Sequence, residues 1–176
     1  MKISETYIPG LLLMETFKFN DLRGSLIKPF SLSFWENQNN VNLTFKETWF
    51  TISQKNVIRA MHLQVGEYAC EKLVSVIQGA VIDVVLDIRK DSPTYGSFFE
   101  VELNDTNPKA IYIPQGCAHG YKVLADNTIA MYMATEINVP KDDVGIKWDS
   151  FGYDWKTSNP IISQKDQDLP PFKLFQ

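Results

Sequence analysis

The two histidines of this 176-residue chain each lie within a cluster of side chains that could take part in chemistry. One cluster is Arg59-Ala60-Met61-His62-Leu63-Gln64, and the other is Pro114-Gln115-Gly116-Cys117-Ala118-His119-Gly120. Imidazole exchanges protons near neutral pH, so either histidine could act as an acid or a base. The Pro and Gly of the second cluster favour a tight turn that would aim His119 from a corner of the chain. Each histidine could also be an ordinary residue that makes one structural hydrogen bond.

The second cluster resembles the second motif of the cupin superfamily through its Pro-x-Gly-x-x-His spacing, and His62 followed by Glu71 and Gly79 loosely resembles the first. Metal-binding cupins carry another histidine two residues after the first, where this chain has Gln64. Two imidazoles and at best one carboxylate are a thin ligand set for a transition metal. A metal-dependent isomerase or dioxygenase that uses His62, His119 and Glu71 is one alternative.

These clusters and other segments along nearly the whole chain resemble the dTDP-4-keto-6-deoxyglucose 3,5-epimerase family, a metal-free branch of the cupins. The matching segments are residues 19–24, 57–64, 72–74, 79–84, 87–89, 92–96, 113–120, Tyr132 and residues 163–166. Each segment is weak evidence alone, whereas their order along the chain is specific. The resemblance implies an all-β cupin jelly roll, a sandwich or barrel with short peripheral helices, and a reaction that needs no cofactor and no metal.

The resemblance also implies proton transfer next to a ketone. A carbonyl at C4 makes the hydrogens on C3 and C5 removable, because the resulting carbanion is delocalised onto oxygen. His62 would be the base, and Asp166 would orient it and stabilise the imidazolium. Tyr132 would donate a proton to the opposite face, and Lys72 would stabilise the enolate oxygen. From residue types alone, Tyr132 could be a core residue and Lys72 could extend its amine to solvent.

Arginines are the residues expected to bind the substrate's phosphates, because a guanidinium group matches phosphate oxygens with paired hydrogen bonds. The resemblance assigns this role to Arg23 and Arg59 and places His119 beside the phosphates or the sugar. In the family, Phe19 comes from the partner subunit, so a homodimer is implied. Residues 21–24 could equally form a polar turn that joins two strands, in which Arg23 is only solvated.

Four positions depart from the family pattern where it meets the nucleotide, and Asp143 is a further departure. Lys28 stands for a usual Glu, Glu47 for a Gln, Trp49 for an Asn, Asn138 for a Tyr that stacks on thymine, and Asp143 for a Glu.

A Gln side chain offers one donor and one acceptor, whereas an ionised Glu only accepts. Glu47 would therefore suit the paired N–H donors of guanine, which leads to the hypothesis of a GDP-linked sugar, with a heptose as one candidate. In the alternative, Glu47 pairs with Lys28 at the surface and the base is thymine. Asp143 and Lys165 complete the expected substrate contacts.

Short strands are the elements expected to position these side chains. Residues 71–88 form two β-branched runs around Gln78-Gly79, which predicts a hairpin. Turn residues delimit further strands at 97–103, 110–113, 120–124 and 129–135. In the last of these, alternation places Ala130, Tyr132 and Ala134 on one face. Short helices are expected at 30–38 and after Lys141, and residues 163–176 are expected to be irregular chain on the surface.

Length and composition indicate one domain over residues 1–176, since 44% of the residues are hydrophobic and no composition break marks a boundary. The formal charge of -4, with scattered Lys and Arg, provides no basic surface for nucleic acid. No apolar run is long enough to cross a membrane. Two cysteines without CxxC spacing favour a reducing cytoplasm.

The sequence therefore predicts an epimerase that inverts C3, C5 or both centres of a nucleotide-linked 4-keto-6-deoxy sugar for surface polysaccharide synthesis. The metal-dependent cupin is one alternative. A non-catalytic cupin that binds sugar nucleotides is another, and it predicts that His62 and Asp166 do not pair.

Overall fold

Thirteen strands and two short helices make up the computed structural model, which describes residues 1–39 and 43–175. In chain order they are β1 (Lys2–Glu5), β2 (Leu12–Glu15), β3 (Phe17–Asp21), β4 (Gly24–Lys28), α1 (Leu32–Asn39), β5 (Glu47–Ser53), β6 (Ile58–Gln64), β7 (Lys72–Gln78), β8 (Ala80–Asp87), β9 (Phe98–Asn104), β10 (Lys109–Ile113), β11 (Cys117–Val123), β12 (Thr128–Ala134), β13 (Asp143–Gly145) and α2 (Gln164–Gln167). Single 3₁₀ turns lie at Gly66–Tyr68 and Phe172–Leu174.

The strands form two large antiparallel sheets and one separate hairpin. A six-stranded sheet has the order β1-β2-β10-β7-β12-β5, and a five-stranded sheet has the order β13-β6-β11-β8-β9. Strands β3 and β4 pair only with each other among the described strands, so they form a two-stranded arm. The predicted all-β sandwich with short peripheral helices is confirmed.

Apolar side chains fill the space between the two sheets and also cover both outer faces. The central cluster contains Val74 and Val76 of β7, Val81 and Val85 of β8, and Tyr121 of β11. On the far side of the five-stranded sheet, the chain after β13 packs its aromatic residues against β6 and β8. On the far side of the six-stranded sheet, α1 packs Trp35 against β2, β7 and β10. The sandwich is therefore closed on both sides.

Four of the predicted strands are confirmed with small shifts at their ends, as β9, β10, β11 and β12. The predicted hairpin over residues 71–88 is wrong, because β7 belongs to the six-stranded sheet and β8 to the five-stranded sheet. Gly79 joins the two strands and has a φ of 80°. A Cβ at this position would lie 2.3 Å from Thr128 Oγ1. Alternation identified both strands, but it carries no information about their pairing partners.

The helix expected at residues 30–38 is confirmed as α1, whereas the helix expected after Lys141 is wrong. There the chain forms β13, which pairs with β6 and completes the edge of the five-stranded sheet. The tail from residue 163 is also more ordered than expected: it holds α2 and a 3₁₀ turn, although Gln176 lies outside the described residues. Within the described chain, no helix has the length and apolar character needed to span a bilayer.

Candidate active site

A cavity of about 350 Å³ is lined by side chains from both large sheets and from the C-terminal tail. Its walls contain most of the residues that the sequence singled out for chemistry. Those lining residues are Glu47, Arg59, His62, Lys72, His119, Tyr132, Asp143, Lys165 and Asp166.

His62 and Asp166 form an ion-pair contact at the wall that β6 contributes. His62 Nε2 lies 3.1 Å from Asp166 Oδ1, and the side chains are 25% and 7% exposed. Because Nε2 faces the carboxylate, Nδ1 is the ring nitrogen left to exchange a proton with a ligand. The non-catalytic alternative predicted that this pair would not form, and that prediction is wrong.

Hydrogen bonds from the tail and from β6 hold Asp166 in place. The Ser163 hydroxyl caps α2 by accepting a hydrogen bond from the Asp166 backbone N–H at 3.2 Å. Asp166 Oδ2 accepts from the Ala60 backbone N–H at 3.3 Å, which ties the tail to β6. Burial would raise the pKa of Asp166, but hydrogen bonds from His62, Ala60 and Ser163 and the charge of His62 lower it overall. The carboxylate is therefore ionised beside His62 at neutral pH.

A β-bulge turns Arg59 and His62 into the same cavity. In a regular strand these residues, three positions apart, would point to opposite faces. The pairing with β11 sets His119 against His62 and Tyr121 against Arg59, so β6 carries one extra residue between the two pairs. Arg59 donates its Nε hydrogen to Ser53 Oγ at 3.2 Å.

Tyr132 lies in the six-stranded sheet and so faces the cavity from the opposite wall to His62. The predicted face of Ala130, Tyr132 and Ala134 is confirmed as the buried one. Burial raises the pKa of Tyr132 far above its usual value, and Tyr121 adds to that effect. The phenol is therefore protonated at neutral pH and can act as a hydrogen donor.

Lys72, the first residue of β7, also lines the cavity and is paired in register with Ala134. Burial lowers the pKa of Lys72, while Cys70 and Asp143 oppose the shift. The alternative in which the amine extends freely into solvent does not fit a half-buried side chain that faces the cavity.

His119 is bound to a second buried carboxylate. Its Nε2 lies 2.7 Å from Asp83 Oδ2, and the two side chains are 4% and 0% exposed. Asp83 Oδ1 is buried without a hydrogen-bond partner in the described structure. The turn before His119 has the backbone that its sequence predicts, since Gly116 has a φ of 75°.

The rim of the cavity carries charged residues. Lys165 Nζ lies 2.7 Å from Asp143 Oδ2, so the two predicted substrate contacts bind each other. Glu47 and Asn138 line both the cavity and an adjoining groove. Within the single chain, no ion pair between the described residues joins Glu47 to Lys28.

Three predicted site residues, Phe19, Arg23 and Lys28, do not line this cavity in the single chain. They lie on the β3–β4 arm, which belongs to neither large sheet. The Arg23 side chain is 87% exposed and pairs with Asp21 at 2.5 Å, and Phe19 is 51% exposed. The arm therefore presents these residues away from the chain's own cavity.

Other cavity residues were not assigned a role from the sequence. Gln64 accepts a hydrogen bond from the Val139 N–H at 2.8 Å and donates to the carbonyls of Ile137, at 2.9 Å, and Tyr68. It therefore clamps two loops at the position where a metal-binding cupin would have a ligand. Thr51 lines the cavity and hydrogen-bonds the buried Tyr121 hydroxyl at 2.7 Å. An isolated Thr or Tyr on a strand gives no sequence signal for such a contact.

The ligand set proposed for a metal is not assembled. Glu71 does not line the cavity, and its Oε2 accepts a hydrogen bond from the Thr135 hydroxyl at 2.5 Å. No group of three His, Cys, Asp or Glu side chains in the described part of the chain could hold a metal ion. The donors expected from His62, His119 and Glu71 thus do not converge on one point.

Comparisons with known proteins agree with one another. The family model described as dTDP-4-dehydrorhamnose 3,5-epimerase matches residues 5–173. The dTDP-4-dehydrorhamnose 3,5-epimerase of Escherichia coli (strain K12) is 38% identical over 172 residues, which cover 96% of this chain and 93% of the relative.

Two solved structures are similar over almost their whole length. The dTDP-4-dehydrorhamnose 3,5-epimerase of Bacillus anthracis with TDP and PPi bound is 33% identical, with a TM-score of 0.92 and coverage of 97% of this chain and 99% of that one. The epimerase of Legionella pneumophila in complex with dTDP-4-keto-L-rhamnose is 31% identical, with a TM-score of 0.93 and coverage of 99% and 94%.

Proposed function

The chain belongs to the dTDP-4-dehydrorhamnose 3,5-epimerase family, with the cupin jelly-roll fold, and we propose that His62 and Tyr132 carry its proton transfers. It is an epimerase of nucleotide-linked 4-keto sugars. The observation that supports the two roles is their placement: an imidazole backed by a carboxylate on one sheet faces a protonated phenol on the other. Inversion at carbon needs a base and an acid on opposite faces, and this arrangement provides both.

The reaction begins with removal of a proton from the carbon beside the C4 ketone. His62 Nδ1 accepts the proton, and the electron pair of the C–H bond moves toward C4 as the carbonyl becomes an enolate. The ionised Asp166 stabilises the imidazolium that forms. The Lys72 ammonium stabilises the negative oxygen, because a fixed cation gains most where charge develops in the transition state.

Tyr132 completes the inversion by donating its hydroxyl proton to the opposite face of the same carbon, and the ketone re-forms. The Tyr132 phenolate then regains a proton, and the imidazolium releases one to solvent, so protons balance over a turnover. Repetition at the second carbon gives 3,5-epimerisation. No step requires a cofactor.

Substrate recognition is assigned to the remaining cavity residues. Arg59 is the cavity's guanidinium group and would bind the diphosphate, with His119 beside the sugar. The adjoining groove, lined in part by Glu47 and Asn138, would hold the base. Asp143 and Lys165 would contact the substrate at the rim.

The nucleotide proposed is dTDP. The guanine hypothesis that began from Glu47 gains no support from the comparisons, since the solved relatives described above hold TDP or a dTDP-linked sugar. Glu47 does line the cavity and its groove, but its position alone does not favour paired donors over a mixed donor and acceptor.

A homodimer is proposed as the working form. Phe17, Phe19 and Leu26 on the arm are 44%, 51% and 55% exposed, and Phe50 and Ile52 on the edge strand β5 are 63% and 58% exposed. Exposed apolar side chains beside an open strand edge are typical of an interface between subunits. The arm would reach the cavity of the other subunit and bring Phe19, Arg23 and Lys28 to it. We further propose one domain over residues 1–176, a cytoplasmic location and a role in surface polysaccharide synthesis.

Deuterium exchange with dTDP-4-keto-6-deoxyglucose in deuterated water tests the assignment of His62. The expected result is two deuterons in the product of the unaltered enzyme and none with His62→Asn. The same assay with a chelator should give the same rate. Uptake of label that His62→Asn leaves unchanged would reject His62 as the base, and tight binding without any uptake would favour a non-catalytic protein.

A further inference from the structure

The indole of Trp49 lies flat against the ring of Tyr132. The ring centroids are 5.1 Å apart and the planes differ by 4°. The two residues are direct partners in the pairing of β5 with β12, so their side chains leave the sheet on the same face. Trp49 also lines both the cavity and the adjoining groove. The stack is therefore part of the cavity wall.

Tyr132 needs such a neighbour because its own strand does little to hold its ring. The side chains before and after it on the same face are Ala130 and Ala134, which are too small to buttress an aromatic ring. Val74 is its partner on the other side, in β7. The large flat surface beside Tyr132 within its own sheet thus comes from Trp49.

Neither of the other aromatic neighbours stacks flat on Tyr132. His119 meets it edge-on, with centroids 5.9 Å apart and planes at 74°, and Tyr121 lies 6.4 Å away at 39°. Both are almost fully buried, at 4% and 1% exposure, whereas Trp49 is 36% exposed. His119 and Tyr121 limit how far the Tyr132 phenol can move inward. Trp49 covers one face of the Tyr132 ring at the cavity side.

We propose that Trp49 is a positioning residue for Tyr132, and that its stacked ring holds the phenol at the angle from which the proton reaches the substrate carbon. This inference rests on the proposed roles of His62 and Tyr132. Proton delivery depends steeply on geometry, so a phenol free to tilt delivers more slowly without losing its proton. Trp49 then determines how often an enolate is converted to the inverted product.

The enolate has two fates, and only one depends on Tyr132. The His62 imidazolium can return a proton to the original face, which restores the substrate. When the abstracted proton has first exchanged with deuterated water, this return leaves a deuteron on the carbon. Tyr132 can instead donate to the opposite face, which gives the epimer. Loss of Trp49 should slow the second fate and leave the first unchanged, because His62 lies on the other sheet and Asp166 lies on the C-terminal tail.

The test compares Trp49→Leu, which removes the flat ring, with Trp49→Phe, which keeps an aromatic surface. Each is incubated with dTDP-4-keto-6-deoxyglucose in deuterated water, and deuterium in recovered substrate is measured against epimer formed. Trp49→Leu should raise this ratio by about tenfold or more, with total deuterium uptake within about twofold of the unaltered enzyme. Trp49→Phe should stay within about threefold of the unaltered ratio. Tyr132→Phe provides the reference for complete loss of delivery.

Other results would overturn either the role of Trp49 or the proposed function. An unchanged ratio in Trp49→Leu, or an equal fall of uptake and inversion in both variants, would show that Trp49 only supports the fold. Thermal unfolding shows whether each variant folds. If Trp49→Leu does not fold, an altered ratio in Trp49→Phe would decide against stacking. Absence of deuterium uptake by the unaltered enzyme would instead reject the proposed function itself.

Discussion

His62 and His119 lie directly opposite each other in the pairing of β6 with β11, yet each imidazole is bound to a different carboxylate. Asp166, on the C-terminal tail, lies 3.1 Å from the ring of His62. Asp83, on the neighbouring strand β8, lies 2.7 Å from the ring of His119. His62 is a quarter exposed, whereas His119 is almost completely buried. The first pair is thus accessible to a substrate and the second is part of the wall that surrounds it.

Replacement of Asp166 by Asn should reduce turnover far more than substrate binding. The Asn side chain can keep the shape of the contact but cannot stabilise an imidazolium. We expect kcat to fall by about 10²- to 10⁴-fold with little change in KM, as measured by deuterium uptake at saturating substrate. Gln164→Ala on the same short helix, whose side chain bonds Asp168 outside the cavity, is the matched control. Equal losses in both variants would indicate a displaced tail.

The lowered pKa of Asp166 also predicts a pH dependence of stability. The unfolded carboxyl titrates near 3.8 and the folded one lower, so the unfolded state binds more protons in this range. The contribution to the free energy of unfolding is therefore complete above 3.8 and is lost as pH falls through the folded pKa. Urea unfolding from pH 6 to well below pH 3.8 should show a larger loss of stability for the unaltered protein than for Asp166→Asn. Asp87, whose pKa is also lowered, contributes to the loss in both proteins. Parallel curves would contradict the pKa shift.

Lys72 should affect both fates of the enolate equally, in contrast to Trp49. Lys72→Met is expected to lower deuterium uptake and inversion together by about 10²- to 10³-fold, because the enolate precedes both. Since burial lowers the pKa of Lys72, activity should decline with rising pH below the usual value of 10.5. Lys72→Arg should move that decline to higher pH, because guanidinium stays charged. A pH profile that is identical in Lys72→Arg would remove Lys72 from the reaction.

The buried pair of His119 and Asp83 should be strongly coupled in stability. Removal of one partner leaves the other buried without its hydrogen bond, so Asp83→Leu should lower the free energy of unfolding by about 3–5 kcal/mol. His119→Leu combined with Asp83→Leu should cost less than the sum of the two single changes. Urea unfolding of the four proteins measures this coupling. Additive losses would mean that the 2.7 Å contact contributes no net stability.

The identity of the strands could largely be predicted from the sequence, but their partners could not. The alternation over 128–134 correctly places Tyr132 on the buried face, because that pattern depends only on neighbouring residues. Strands β7 and β8 join different sheets. The local sequence pattern does not encode which sheet a strand joins. No bounds were predicted for the six strands of the first 64 residues, since several have mixed polar and apolar faces, although residues 21–24 were considered as a turn between two strands.

The candidate site likewise depends on contacts that local sequence patterns do not encode. Arg59 and His62 share a cavity only because of a bulge between them, and regular alternation would separate them. Asp166 reaches His62 from a tail expected to be irregular, and the resemblance rather than any periodicity pointed to it. The contact of Trp49 with Tyr132 follows from the β5–β12 register, which was not predicted.

The proposed arm exchange predicts that two inactive variants can restore each other. In a symmetric dimer, a His62→Asn subunit still supplies an intact arm, and an Arg23→Ala subunit still supplies an intact cavity. Equal amounts refolded together from urea should give half mixed dimers with one complete site each, and therefore about a quarter of normal activity at low substrate. Each variant refolded alone is the control. If Arg23 served the cavity of its own chain, or had no role, the mixture would give only the mean of the two separate activities.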